Sequence, residues 1–228
     1  MKKTYLSVVM IFLYVLLMKC DAHPFRRSEK IHKIHRVSPG KIVIDGKFED
    51  WKSIKNLTTD VGSKERGKFP PRIDLKSVKC TYDGDNFYLL LEAKPVHGAV
   101  IIYVDSDGSK STGVDSLVIG QKMQVVKFQQ GWDYVIKLTY APSYLTSQVE
   151  KIEKVKYGYK TKLVGKVRNS VNDPSYVGVG KRFQEVKVPL QILKIKPPTE
   201  IALLFMEGTG GMFTKYDKHC QLIKVKIE

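Results

Sequence analysis

The chain has 228 residues and a formal net charge of +16, from 39 Lys and Arg against 23 Asp and Glu. That length is enough for one domain with its own apolar core, so folding does not require a disulfide scaffold. The short, turn-punctuated segments, rich in β-branched and aromatic residues, exclude a long-helix or coiled-coil architecture, and the basic balance favours polyanionic partners.

Met1, Lys2 and Lys3 form a charged start, the run from Leu6 to Met18 is apolar but short for a spanning helix, and Cys20-Asp21-Ala22 offers small residues before a cut. This pattern predicts a signal peptide over 1–22 and a mature chain beginning at His23, with an uncleaved anchor as the alternative. No later stretch is apolar for long enough to span a bilayer, so no transmembrane domain is expected in the mature chain. Export places the protein outside the cytoplasm, whether secreted, periplasmic or at the cell surface, and argues against nucleic acid as a partner. Residues 23–40 are basic, lack a sustained period and end in Pro39-Gly40. They read as a tail or linker, with the domain over 41–228. Cys80 and Cys220 remain after cleavage. In an oxidising compartment they form either a disulfide or two buried free thiols.

Strand signals follow in order. "IDLKSVKCTY" and "FYLLLEAK" flank Asp83-Gly84-Asp85-Asn86 and predict a β-hairpin. "GAVIIYVD" (98–105) is apolar throughout and predicts a central strand. "SLVIG" and "KMQVVKF" come next, and Gln129-Gln130-Gly131 predicts a turn that joins the latter to "WDYVIKLTY" as a second hairpin. Residues 141–172 read as an exposed strand pair, "RFQEVKVPLQIL" as a strand that turns at Pro189, and "TEIALLFME" and "CQLIKVKIE" as closing strands. About a dozen such strands predict an all-β, two-layer antiparallel sandwich.

Two clusters carry candidate chemistry. Asp105 and Asp107 stand two apart at a strand end, before a glycine and several hydroxyl residues, and Asp115 offers a third carboxylate. Hard cations need several oxygens from a flexible loop, so calcium is the candidate ion. An Asp/Gly/Ser turn that hydrogen-bonds its own backbone is the alternative. Trp132, Tyr140 and Tyr144, with Tyr157 and Tyr159 behind them, are the aromatic candidates for stacking on a sugar ring, and ordinary packing is the alternative for Trp132. Trp51, beside the Asp45-Gly46 turn, reads as a core anchor. The serine-hydrolase elbow, the zinc-protease helix motif and the phosphate-binding loop are all missing from the sequence, so a non-catalytic protein is expected.

"IDGKFEDW" (44–51), "DLKSVKCTYDGDNFYLLLEA" (74–93), "IIYVDSDGSKSTG" (101–113), "DSLVIG" (115–120) and "EVKVPLQIL" (185–193) occur in that order. This series resembles the family 9 carbohydrate-binding-module superfamily, the group of sandwiches often called DOMON-like, across residues 41–228. The resemblance implies a carbohydrate-binding-module-like sandwich, structural calcium at the Asp105–Asp107 loop and aromatic platforms for sugar. It also brings in haem, which some DOMON-like domains hold. Met123, Met206, Met212, His97 and His219 are the available axial ligands, but haem is disfavoured because a lone Met in a strand is more often core filler and Cys-x-x-Cys-His is absent. The expected function is an exported, non-catalytic module that captures a glycan or an anionic cell-envelope polymer. A haem-binding electron-transfer domain and a structural domain of an envelope complex are the competing readings.

Overall fold

The computed structural model describes residues 27–59, 73–95, 99–119, 124–139, 147–156, 158–172, 182–209, 213–215 and 222–228. The strands, in chain order, are β1 (Arg27–Ile34), β2 (Asn56–Thr59), β3 (Ile73–Tyr82), β4 (Asn86–Pro95), β5 (Ala99–Asp105), β6 (Val114–Ile119), β7 (Gln124–Trp132), β8 (Tyr134–Thr139), β9 (Gln148–Lys154), β10 (Tyr159–Lys166), β11 (Arg168–Asn172), β12 (Arg182–Pro189), β13 (Thr199–Thr209), β14 (Phe213–Lys215) and β15 (Leu222–Ile227). A 3-10 turn at Glu49–Trp51 and the single-turn helix α1 (Leu190–Leu193) complete the described elements.

Two sheets face each other, as the strand pattern predicts. One runs β1-β15-β13-β5-β8-β9-β10 with β14 beside β13, and the other runs β11-β12-β4-β3-β2. Strand pairing is antiparallel except between β1 and β15. Period-two alternation builds the core between them: Val100, Ile102 and Val104 of β5 and Ile201, Leu203 and Phe205 of β13 meet Val78, Cys80, Phe87, Leu89, Leu91, Val186 and Val188 of the facing sheet. "GAVIIYVD" is central, flanked by β13 and β8.

Both sheets are also covered on their outer faces, which explains why so few strands alternate cleanly between apolar and polar. The β6–β7 ribbon lies over the eight-stranded sheet and closes a second apolar cluster around Tyr103, Leu117, Trp132, Ile152, Leu204 and Met206. Residues 37–54 cross the five-stranded sheet and close a third cluster of Ile42, Ile44, Trp51, Tyr88 and Leu90.

Two sequence expectations are corrected here. Part of the expected basic tail is strand β1, which pairs with β15; Val37 N–H then donates to the Tyr82 carbonyl at 2.8 Å and the Thr81 hydroxyl to the His35 carbonyl at 2.8 Å. This segment therefore touches both sheets. The expected hairpin through Gln129-Gln130-Gly131 does not form: β7 continues to Trp132 and pairs with β6, while β8 pairs with β5 and β9. Gly131 serves close approach rather than a turn, because a Cβ there would collide with the Thr112 carbonyl. Cys80 is a free thiol inside the sandwich, and burial pushes its pKa up. Cys220, its partner in the disulfide alternative, lies outside the described residues.

The Asp83-Gly84-Asp85-Asn86 turn joins β3 to β4 as expected. Asp83 Oδ1 accepts the Asp85 and Asn86 N–H groups at 3.0 and 2.8 Å, and Oδ2 accepts the Tyr88 hydroxyl at 2.6 Å. Burial works to raise this carboxyl, but the hydrogen bonds from Tyr88, Asn86 and Asp85 hold it below its ordinary value.

Candidate functional site

The resemblance motifs at the two ends of the domain meet on one side chain. Glu185 on β12 points to the outer face of the five-stranded sheet, where residues 37–54 bury it completely. Its Oε1 accepts the Trp51 indole N–H at 2.9 Å, and its Oε2 accepts the Gly46 and Asp45 N–H groups at 2.7 and 3.1 Å. "IDGKFEDW" is thus a structural clasp. Trp51 is the anchor that the sequence suggested, and Lys79 Nζ donates to its carbonyl at 2.9 Å.

At the end of β5 three carboxylates converge. Asp105, Asp107 and Asp133 each offer an oxygen, and these atoms lie within 4.8 Å of one another. Asp115 is not in the group. It is exposed and accepts the Ser116 hydroxyl at 3.3 Å, so the expected third ligand is replaced by Asp133, which follows β7. Asp133 Oδ2 accepts the Ser106 N–H at 2.9 Å and the Ser106 hydroxyl at 2.8 Å. Asp105 Oδ1 accepts the Gly108 N–H at 2.8 Å, with Gly108 at φ +68°. Asp107 accepts the Ser109 N–H at 2.9 Å and the Thr112 hydroxyl at 2.9 Å. Burial, then the nearby Asp133 and Asp107 charges, pushes the Asp105 carboxyl up to about 7 despite the Gly108 bond. Burial also raises Asp133. An all-oxygen, mutually repelling set of this kind suits a hard divalent cation, which would offset the repulsion.

The aromatic candidates separate sharply. Trp132 is 0% exposed, edge-on to Phe128 at 5.4 Å and tilted against Tyr103 at 6.2 Å. It fills the space under the β6–β7 ribbon, so it cannot present a face to a sugar. Tyr140, Tyr144 and Tyr157 lie outside the described residues. Of the haem candidates, Met206 is core filler in the second cluster, and Met123, Met212, His97 and His219 lie outside the described residues.

Tyr159 is partly exposed. It starts β10, packs against the rim of the second apolar cluster and is hydrogen-bonded to the Tyr103 hydroxyl. Register builds a polar face around it. Thr161 lies opposite Ile152, Leu163 opposite Glu150, and Lys137 opposite Gln148, all on the outer face of β8, β9 and β10. Glu150 accepts Lys137 Nζ at 2.6 Å, as well as the Gln148 amide and the Thr161 hydroxyl. Burial works to raise Glu150, but the bonds from Lys137 and Thr161 hold it below its ordinary value. Thr161 and Leu163 are exposed. A tyrosine ring therefore shares one face with an ammonium, a carboxylate, an amide and a hydroxyl. The sequence named Tyr159, but the polar residues around it were hidden, because alternating Lys and Glu read as an ordinary solvated face.

No family model matches the chain, and no curated protein matches it in sequence. Among solved structures, the chain is similar to a family 9 carbohydrate-binding module from Caldicellulosiruptor kristjanssonii in complex with cellotriose, with a TM-score of 0.48 and 13% identity over 87% of this chain and 94% of that one. It is similar to a module of the same family and organism in complex with glucose, with a TM-score of 0.44 and 14% identity over 87% and 96%. It is also similar to a protein from Bacteroides uniformis proposed to bind carbohydrate, with a TM-score of 0.49 and 10% identity over 87% and 99%. No described helix is long and apolar enough to cross a membrane.

Proposed function

We propose that this chain is a non-catalytic glycan-binding module that works outside the cytoplasm, with a structural divalent cation at Asp105, Asp107 and Asp133. The observation that carries the reading is the face around Tyr159. Sugar recognition needs a flat apolar ring for the pyranose face and fixed polar groups for the hydroxyls. Tyr159 supplies the first, and Gln148, Thr161 and the Lys137–Glu150 pair supply the second. The ordered sequence motifs point the same way. Glu150 is held by three donors, so it orients a ligand rather than transferring a proton. Calcium is the expected cation, since the donors are all oxygen. A bound cation would fix the 105–113 loop against β7 and take no part in chemistry.

The test is retention on a panel of insoluble polysaccharides, with titration calorimetry on soluble oligosaccharides. Wild-type protein is expected to bind at least one glycan, and Tyr159→Ala to weaken that binding about tenfold, the loss of about 1.4 kcal/mol. Retention of no glycan at low salt, or full retention by Tyr159→Ala, overturns the reading.

A further inference from the structure

β10 is unlike an ordinary sandwich strand. It is the edge of the eight-stranded sheet, and six of its eight residues are exposed. An edge strand packed on a core normally buries one face. Here Lys160 and Lys162 look to the core side and Thr161 and Leu163 to the opposite side, and all four are in water. β10 therefore stands largely clear of the core, while β9 stays packed through Val149 and Ile152. Leu163 is 55% and Val164 40% exposed.

The charge on this ribbon is one-sided. Residues 154–166, KVKYGYKTKLVGK, hold five lysines and no acid. The two acids of β9 are already engaged: Glu150 with Lys137 at 2.6 Å, and Glu153 with Lys160 at 3.4 Å and Lys151 at 3.9 Å. Register then sets Lys162 directly opposite Lys151, and like charges facing each other across strands are destabilising. An anion between them would reverse the sign of that contact.

We infer that the β9–β10 ribbon binds an acidic polysaccharide, a chain bearing carboxylate or sulfate groups, through Lys154, Lys160, Lys162 and Lys166. This rests on the glycan-binding reading and narrows it to a substrate class and a surface. A second copy of the chain is a poor occupant, since pairing two ribbons would set five lysines against five. Addition of a partner strand is opposed by the bulge at Val164, where the register shifts between Leu163 and Gly165, and by lysines along the edge. A lipid surface would meet only one side of the ribbon, whereas Lys160 and Lys162 leave one face and Lys154 and Lys166 the other. A flexible polymer follows both faces, with Tyr159 available for a ring between charges.

The experiment compares the full chain with two quadruple variants. One is Lys154→Gln, Lys160→Gln, Lys162→Gln and Lys166→Gln. The other, of equal charge change, is Lys41→Gln, Lys47→Gln, Lys52→Gln and Lys55→Gln, at exposed sites over the other sheet. The probes are polygalacturonate across a salt series, a neutral β-glucan, and vesicles of phosphatidylglycerol in phosphatidylcholine. Wild type is expected to bind polygalacturonate with affinity that falls as salt rises. The ribbon variant should bind about tenfold more weakly with a shallower salt slope, and the control variant should lose less than about threefold. Equal losses in both variants overturn the inference, because net charge alone would then explain binding. Ribbon-dependent binding to vesicles without binding to polygalacturonate also overturns it. Tyr159-dependent binding to neutral glucan alone overturns it while leaving the proposed function standing; binding to no glycan overturns both.

Discussion

Replacing Glu185 with alanine gives the sharpest test of how the domain is held together. The carboxylate is fully buried and accepts three N–H groups, from Trp51, Gly46 and Asp45. Truncation leaves those donors facing an apolar hole. An orphaned buried donor costs about 1–3 kcal/mol, and some of that is recovered if water enters, so the expected loss is about 3–5 kcal/mol. Domain stabilities run to about 5–15 kcal/mol, so the variant should stay folded but close to its limit. Glu185→Gln should cost less, about 2 kcal/mol, because one oxygen survives while its NH2 must face a donor. Urea unfolding followed by tryptophan fluorescence is the assay, since both tryptophans are fully buried and report directly. For a domain of this size the midpoint temperature should also fall by about 10 °C. A loss below about 1 kcal/mol for Glu185→Ala would refute the view that this carboxylate clasps the 37–54 segment to the sheet.

Three further outcomes are expected. Asp105 is raised in the folded state, so its contribution to stability is present below its ordinary value of 3.8 and is lost as pH rises toward about 7. Melting of the cation-free protein should therefore weaken over that window; calcium should restore it near pH 8 in wild type and Asp115→Asn but not in Asp133→Asn. Gly131→Ala should destabilise by more than about 3 kcal/mol, because the new methyl meets backbone carbonyls that no rotamer change can clear; a near-wild-type denaturant midpoint would show that the 109–112 loop can move off β7. Cys80 should resist thiol reagents in native buffer and react on unfolding, since burial disfavours its thiolate; rapid native labelling would mean that the sheet opens there.

Much of the fold was legible because strands punctuated by Asp, Gly and Asn turns announce themselves locally. β3, β4, β5 and β13 follow their apolar runs closely. What escaped were pairings remote in sequence. Asp133 lies 26 positions after Asp107 and joins it only because β7 returns antiparallel along β6 until Trp132 pairs with Val114, whereas Asp115 looked better for being near. Gly131 resembled a turn residue, yet its role depends on a carbonyl from the loop that precedes β6. Glu185 carried no signal of its role, because only the fold covers β12 on both faces. β1 carries no periodic signal, because as an edge strand it contributes little besides Ile34 to the core. Trp132 followed an expected turn that does not exist, and of its two readings, sugar platform or ordinary packing, its burial fits the packing one.

The parallel pairing of β1 with β15 sets an order on assembly. Ile34 registers with Ile227, a pairing that spans almost the whole sequence. Among the described strands, β15 links β1 to β13 in the sheet. During synthesis the first strand must wait, unpaired, until the last has emerged, and contacts of such long sequence separation are slow to form. The same arrangement makes the final strand a checkpoint, since a chain cut short before Leu222 leaves two strands of the larger sheet without their shared neighbour.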